Sequence, residues 1–300
     1  MLGAAFLATR LPLRCGVALG AALGWFASWA VPVRRSVVRE NLKMAFPEMT
    51  DRERRRLTGR IYANVGRMVA ESLHIPRLDT VKRGLVSDQA GFERVERLIS
   101  EHGGFVVFTG HLGSWELGGA HFARRGLPIS AIAKPLHNGY LNDYIRRTRE
   151  GAGLRIFFTS RDLRHEMIEG LRRGEIVTLL ADQDARQFGV FVEFFGRPAS
   201  TPRGPAMYAL RAGKPILPVF IVRTRGIHHR ILYGEPICPS SDPPDFDRAV
   251  QELTQASVRQ LEEAVRAHPD QYFWLHRRWK TQPSMLKPKR HRRAGLADRT

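Results

Sequence analysis

From residue 104 onward, short apolar runs alternate with amphipathic stretches of helical length, and this alternation leaves the chain few folds to choose from. Phe105–Thr109, Ile129–Ala133, Arg155–Phe158, Ile176–Ala181, Val190–Phe195, Pro215–Arg223 and His229–Tyr233 read as strands. Ser114–Arg125, Gly139–Gly151, Arg161–Arg173, Gly204–Ala212 and Phe246–Ala267 read as helices, and Gly126, Gly174 and Gly213 stop three of them. Strands joined through helices pair in parallel. The spacing therefore predicts an α/β sandwich with a mostly parallel mixed sheet and helices on both faces. The sequence contains no internal repeat.

The N-terminal part is built differently. Cys15–Val33 carries no charge over 19 residues, just enough to cross a hydrocarbon core of about 30 Å. Trp25 and Trp29 suit the interfacial belt, and no small-residue cleavage site precedes Arg34, so the segment is expected to be retained as a span or as a helix lying in the interface. Arg34, Arg35, Arg39 and Lys43 follow it, which by the positive-inside rule keeps the rest of the chain cytoplasmic. Next come a basic helix, Arg35–Phe46, and an amphipathic one, Asp51–His74, with Thr50 and Glu53 spaced as a capping box. Residues 1–34 thus read as an anchor, 35–285 as the folded domain and 286–300 as a basic disordered tail.

Lys and Arg number 48 against 29 Asp and Glu, a formal charge of +19. That balance attracts polyanions: an anionic membrane, an acidic carrier protein or nucleic acid. Two isolated cysteines, Cys15 and Cys238, exclude a disulfide framework and a cysteine zinc site.

The chemistry is concentrated where strands end. Phe105–Gly110 runs into His111-Leu112-Gly113-Ser114-Trp115-Glu116. On one continuous helix, residues five apart diverge by about 140°. His111 and Glu116 meet only if His111 lies in the loop, Ser114 caps the helix and Glu116 sits in its first turn. Glu116 would then hold one imidazole nitrogen and leave the other as a general base, beside amides suited to an oxyanion or a phosphate. Asp182 and Gln183 follow the strand Ile176–Ala181, where open α/β sheets gather ligands. Arg146, Arg147 and Arg149, with Lys134 upstream, offer phosphate contacts, and Phe194–Gly204 reads as a rigid loop fit for a pocket wall. Gly-x-Ser-x-Gly, the two common phosphate-binding glycine motifs and His-Glu-x-x-His are all missing, so no cofactor or metal is implied.

Several blocks together resemble the bacterial lipid A biosynthesis (lauroyl/myristoyl) acyltransferases, within the glycerolipid acyltransferases. They are His111-x4-Glu116, Arg147-x-Arg149, Ala181-Asp182-Gln183, Phe194-Phe195-Gly196 with Thr201, and Pro269–Lys280, preceded by Arg39-x-Asn41-Leu42 and Ala45-Phe46-Pro47. The resemblance implies an enzyme of the bacterial inner membrane, working on the cytoplasmic face, that moves an acyl chain from acyl carrier protein to a hydroxyl of a lipid acceptor. It implies His111 as base with Glu116 as its orienter, and Arg147, Arg149, Asp182 and Gln183 around the substrate. Direct transfer is expected, since no Ser or Cys stands as nucleophile beside His111. The alternatives are transfer to another glycolipid or phospholipid, hydrolysis with the same histidine, and a non-enzymatic binder of anionic membrane or nucleic acid. The last of these leaves the residues at the strand ends without a purpose, and nucleic acid is not expected as a partner.

Overall fold

A computed structural model describes residues 10–285 apart from 32, 134, 136–137 and 159–162. Lys134, the first residues of the expected helix 161–173 and the basic tail lie outside the described residues. The elements run α1 (Leu13–Ala30), α2 (Arg35–Ala45), α3 (Asp51–His74), β1 (Val86–Ser87), α4 (Gln89–His102), β2 (Phe105–Thr109), α5 (Trp115–Arg124) and β3 (Ile129–Ala133). They continue α6 (Gly139–Gly151), β4 (Arg155–Phe158), α7 (Leu163–Arg172), β5 (Ile176–Leu180), β6 (Val190–Phe194), β7 (Arg197–Thr201), α8 (Gly204–Ala212), β8 (Ile216–Arg225), β9 (His228–Tyr233) and α9 (Phe246–Ala267).

Seven strands form one sheet in the order β1-β9-β8-β2-β5-β3-β4. All the pairs are parallel except β8 with β9. In β2, Val106 and Phe108 enter one core with α7, α8 and α9, while Phe105 and Val107 enter the other with α4 and α5. A strand buried on both faces reads as a continuous apolar run, and FVVFT is one.

Two elements depart from the sequence reading. Helix α4 was not anticipated, although Phe92, Val95 and Ile99 have helical spacing; its N-cap residue Asp88 makes no capping bond and is used elsewhere. The expected loop Phe194–Gly204 is instead half of a hairpin. Phe195 and Gly196 both take positive φ (53° and 67°) and fold β7 back on β6. The peptide N–H of Phe195 is held by Glu262, and Arg266 lies over its ring at 4.3 Å.

Helix α1 is long and apolar enough to cross a membrane, yet it is not free. It runs antiparallel along α3, with Gly16 against His74, Gly20 against Gly66 and Gly24 against Tyr62. A Cβ on Gly20 would lie 2.4 Å from the Gly66 carbonyl oxygen, so the two backbones touch only because neither residue has a side chain. Its other face leaves Leu19, Leu23, Trp25, Phe26 and Trp29 exposed. The Thr50–Glu53 capping box forms as read and starts α3.

Candidate active site

The parallel register sets the first contact. Thr109 of β2 pairs with Leu180 of β5, so the residues two beyond each strand end, His111 and Asp182, stand side by side. The Asp182 carboxylate takes two hydrogen bonds from one residue. The His111 peptide N–H donates to Oδ2 (2.8 Å) and the ring Nδ1 donates to Oδ1 (2.7 Å). Asp182 is 2% exposed. Burial would raise its carboxyl, but the His111 ring and these two bonds, with Arg278 nearby, outweigh burial and hold it below the usual carboxylate range. An ionised carboxylate only accepts, so Nδ1 carries a proton, and in the neutral ring Nε2 keeps its lone pair. The His111 side chain is 20% exposed, and its Nε2 faces Gln183 Nε2 at 3.5 Å.

His111 lies in the loop and Glu116 in the first turn of α5, as the spacing required. They do not bond to each other. Both carboxylate oxygens of Glu116 are taken by Arg149 of α6, from Nε at 2.9 Å and Nη2 at 2.6 Å. Burial works against the Arg149 charge, but Glu116 more than offsets it and raises the guanidinium above its ordinary range. The orienter of His111 is therefore Asp182, which the sequence had placed on the substrate. Ser114 occupies the N-cap position without capping, and its buried hydroxyl has no partner among the described residues. Among the described residues no side chain caps the first turn of α5, which starts four residues after His111. Gly113 makes the approach possible: at φ 63°, a Cβ there would fall 1.9 Å from the Ile221 carbonyl oxygen.

The site opens on a cavity of ≈ 470 Å³. His111, Trp115, Glu116, Arg149 and Gln183 stand on its lining, together with Arg146. Deeper in, Val107, Phe122, Ile129, Leu154, Leu217 and Ile231 make an apolar wall. Arg147 does not line the cavity and is exposed on the outside of α6.

The segment after α9 closes the site from behind. Phe273 N–H donates to the His111 carbonyl (2.9 Å), and the Phe273 and Trp115 rings lie 6.0 and 4.8 Å from the imidazole. Asn41 of α2 fixes that segment, donating to the carbonyls of Trp274 (2.8 Å) and His276 (2.6 Å). Asp184 clasps it from the other side, accepting from the Thr281 hydroxyl (2.9 Å) while its own N–H donates to His276 Nε2 (2.8 Å). Arg278, fully buried, reaches the Ser200 carbonyl and the Thr201 hydroxyl in β7. The supporting roles of Phe273 and His276 were not legible one by one; Pro269–Lys280 stood out in the sequence only as a block of the family resemblance.

Comparison with known proteins gives a consistent result. The family model described as bacterial lipid A biosynthesis acyltransferase matches residues 1–281. The lipid A biosynthesis lauroyltransferase of Escherichia coli (strain K12) is 28% identical over 287 residues, covering 94% of this chain and 90% of that protein. The palmitoleoyltransferase of the same organism is 26% identical over 286 residues, with the same two coverages, 94% and 90%. A phosphatidylinositol mannoside acyltransferase of Mycobacterium tuberculosis (strain CDC 1551 / Oshkosh) is 27% identical over 220 residues, 71% of this chain and 67% of that protein.

Proposed function

The chain belongs to the bacterial lipid A biosynthesis acyltransferase family, and from that premise we propose that it moves a fatty acyl chain from acyl carrier protein to a hydroxyl of a lipid A precursor, with His111 as general base. The observation that carries this reading is the His111–Asp182 pair, whose free Nε2 stands at the mouth of an apolar cavity. The cavity falls within the usual range for ligand pockets, about 300–1,000 Å³, and its apolar depth suits a hydrocarbon chain. The thioester carbonyl sits at the mouth. As the acceptor oxygen attacks, Nε2 takes its proton, the C–O bond forms and the C–S bond breaks, and the proton passes to the departing thiolate. The uncapped amides of α5 stabilise the oxyanion. Asp182 fixes the imidazole tautomer, and the Glu116–Arg149 fork shapes the mouth with Gln183.

The enzyme works on the membrane surface. Helix α1 is bound along its length to α3, which over the paired stretch carries Arg56, Arg60, Arg67 and Glu71. A perpendicular span would carry those charges toward hydrocarbon, so α1 lies in the interface with its tryptophans and leucines immersed. A chain that does not cross the bilayer stays on the side where it is made, so 35–285, the catalytic domain, sits on the cytoplasmic face of the inner membrane, where the basic start of α2 meets anionic lipid. A different glycolipid acceptor is the second reading, favoured by the mycobacterial relative at comparable identity.

With purified full-length protein, acyl carrier protein thioester and precursor lipid, His111→Ala should slow transfer about 10²–10⁴-fold. Near-wild-type transfer by that variant would sink the assignment, and mass spectrometry of the product lipid separates the two acceptors.

A further inference from the structure

A separate cavity of ≈ 950 Å³ opens between the start of α1, the middle of α3 and the β8–β9 turn. Among the described residues, Arg14, Arg67, Arg223 and Arg225 line it against one carboxylate, Asp270. Arg223 is held from behind: Glu71, buried under it, grips both terminal nitrogens of its guanidinium. The Arg223 side chain is 9% exposed, and its Nε has no partner among the described residues. Glu71 already pairs the Arg223 charge, so the net positive charge of the lining comes from Arg14, Arg67 and Arg225. Arg67 makes no hydrogen bond or ion pair among the described residues, and burial together with the neighbouring Arg223 weakens its hold on its proton. Four guanidinium groups in one cavity recognise an anion with several acceptor oxygens, and phosphate is the group that arginine forks fit.

Two further observations say where that phosphate comes from. One wall is apolar, made by Val17, Ala18 and Ala21 of α1, whose opposite face carries the exposed Leu19 and Leu23. With those leucines immersed, the cavity lies on the side of α1 away from hydrocarbon, about one helix diameter (10–12 Å) above it, at the level of lipid headgroups. Gln271 stands on the lining and is tied to Arg223 by two hydrogen bonds (2.7 and 3.0 Å). Two residues on, Phe273 N–H bonds the His111 carbonyl. Two residues reach at most about 7 Å, so the Gln271 edge of the cavity and the back of the His111 loop are neighbours on one short segment.

We propose that this cavity binds a phosphate group carried by a lipid and so positions that lipid relative to His111. Where the lipid is the acceptor itself, the proposal rests on the acyl-transfer reading above; a bulk anionic lipid offers the same phosphate chemistry.

The test uses full-length protein, the double variant Arg67→Ala/Arg225→Ala, and a control double variant, Arg55→Ala/Arg56→Ala, with the same loss of charge on the exposed early turns of α3. Transfer is measured to a hydroxyacylated disaccharide lipid carrying phosphate monoesters and to the same lipid after phosphatase treatment. Sedimentation is measured with vesicles of phosphatidylcholine alone and of phosphatidylcholine with phosphatidylglycerol. If the acceptor supplies the phosphate, the wild type and the control prefer the phosphorylated lipid by about 10- to 100-fold in kcat/KM, mostly through KM. The Arg67/Arg225 variant then loses that preference. If bulk lipid supplies it, that variant loses the phosphatidylglycerol-dependent sedimentation, which the control keeps, while the acceptor preference stays. A variant that matches the control in both assays overturns the proposal. Sedimentation needs no turnover, so an inactive wild type would remove the acyl-transfer reading and leave the cavity still judged.

Discussion

Two histidine–aspartate pairs flank α5, and they have opposite fates. His111, before the helix, bonds Asp182 at 2.7 Å; His121, near its end, bonds Asp88 at 2.9 Å. The difference lies at the second nitrogen. In His121 it meets the Thr80 hydroxyl at 3.2 Å, and the ring is 2% exposed. In His111 it meets, among the described residues, only the Gln183 amide, at 3.5 Å, and the ring faces a cavity. A carboxylate beside an imidazole fixes a tautomer in both cases. Only the pair whose other nitrogen is left open can move a proton, while the closed pair ties α4, α5 and the loop before β1 together.

The comparison breaks most sharply at the carboxylates. In Asp182→Asn the amide N–H₂ would face Nδ1 and drive the ring proton to Nε2, the atom that must accept. Transfer per folded molecule should fall about 10²–10⁴-fold, whatever stability is lost with the two charge-assisted bonds. Asp88→Asn should cost about 1–3 kcal/mol of stability while kcat per folded molecule stays near wild type. Steady-state kinetics with urea unfolding of both variants decides the matter. Equal kinetic losses would mean that the two pairs do not differ as described.

A smaller effect is expected at the mouth of the cavity. Glu116→Gln removes the charge that Arg149 grips in bidentate fashion, and hydrogen bonds to charged groups are worth about 1.5–3 kcal/mol. A drop of roughly 10- to 100-fold in kcat/KM follows if the fork shapes the mouth. Arg149→Lys should behave likewise, since an ammonium cannot make the fork. Wild-type kcat/KM in Glu116→Gln would leave His111–Asp182 as the only polar pair there that matters.

These pairs also mark how far the sequence was legible. The β2 run, the Thr50–Glu53 box and the placing of His111 in a loop are local facts, written in spacing and in glycines. Partner choice is not local. Glu116 is five residues from His111 and drew the assignment; Asp182, the true partner, arrives through the β2–β5 register. Arg149 reaches Glu116 because α6 packs beside α5, which no short motif encodes. Strand β7 was hidden by Pro198, a residue that argues against a strand except where the strand lies at an edge, as in the two-stranded β6–β7 ribbon. Helix α4 lacked a side-chain cap because Asp88, at its N-cap, was already bound to His121.

That closed pair carries the smallest of the expected effects, a dependence of stability on pH. Burial lowers the basicity of His121 despite the pull of Asp88, and burial also lowers that of His276, whose Nε2 accepts the Asp184 N–H. In the unfolded chain both rings titrate near 6.5. Above that pH neither state binds the proton and the contribution is complete. Below it the unfolded chain takes up protons that the folded rings refuse, so stability falls by up to about 1.4 kcal/mol per pH unit for each ring. Glu71 acts in a different window. Burial would raise it, but the Arg223 fork and His229 bring it to about 2, so its contribution is lost only as pH drops from roughly 4.5 toward 2. Urea midpoints measured between about pH 7.5 and 5.5 should therefore decline, and His121→Gln should flatten part of that decline. An unchanged slope in His121→Gln would show that the closed pair takes up protons as readily as the unfolded chain, and the contrast with the open pair at His111 would then have to rest on geometry alone.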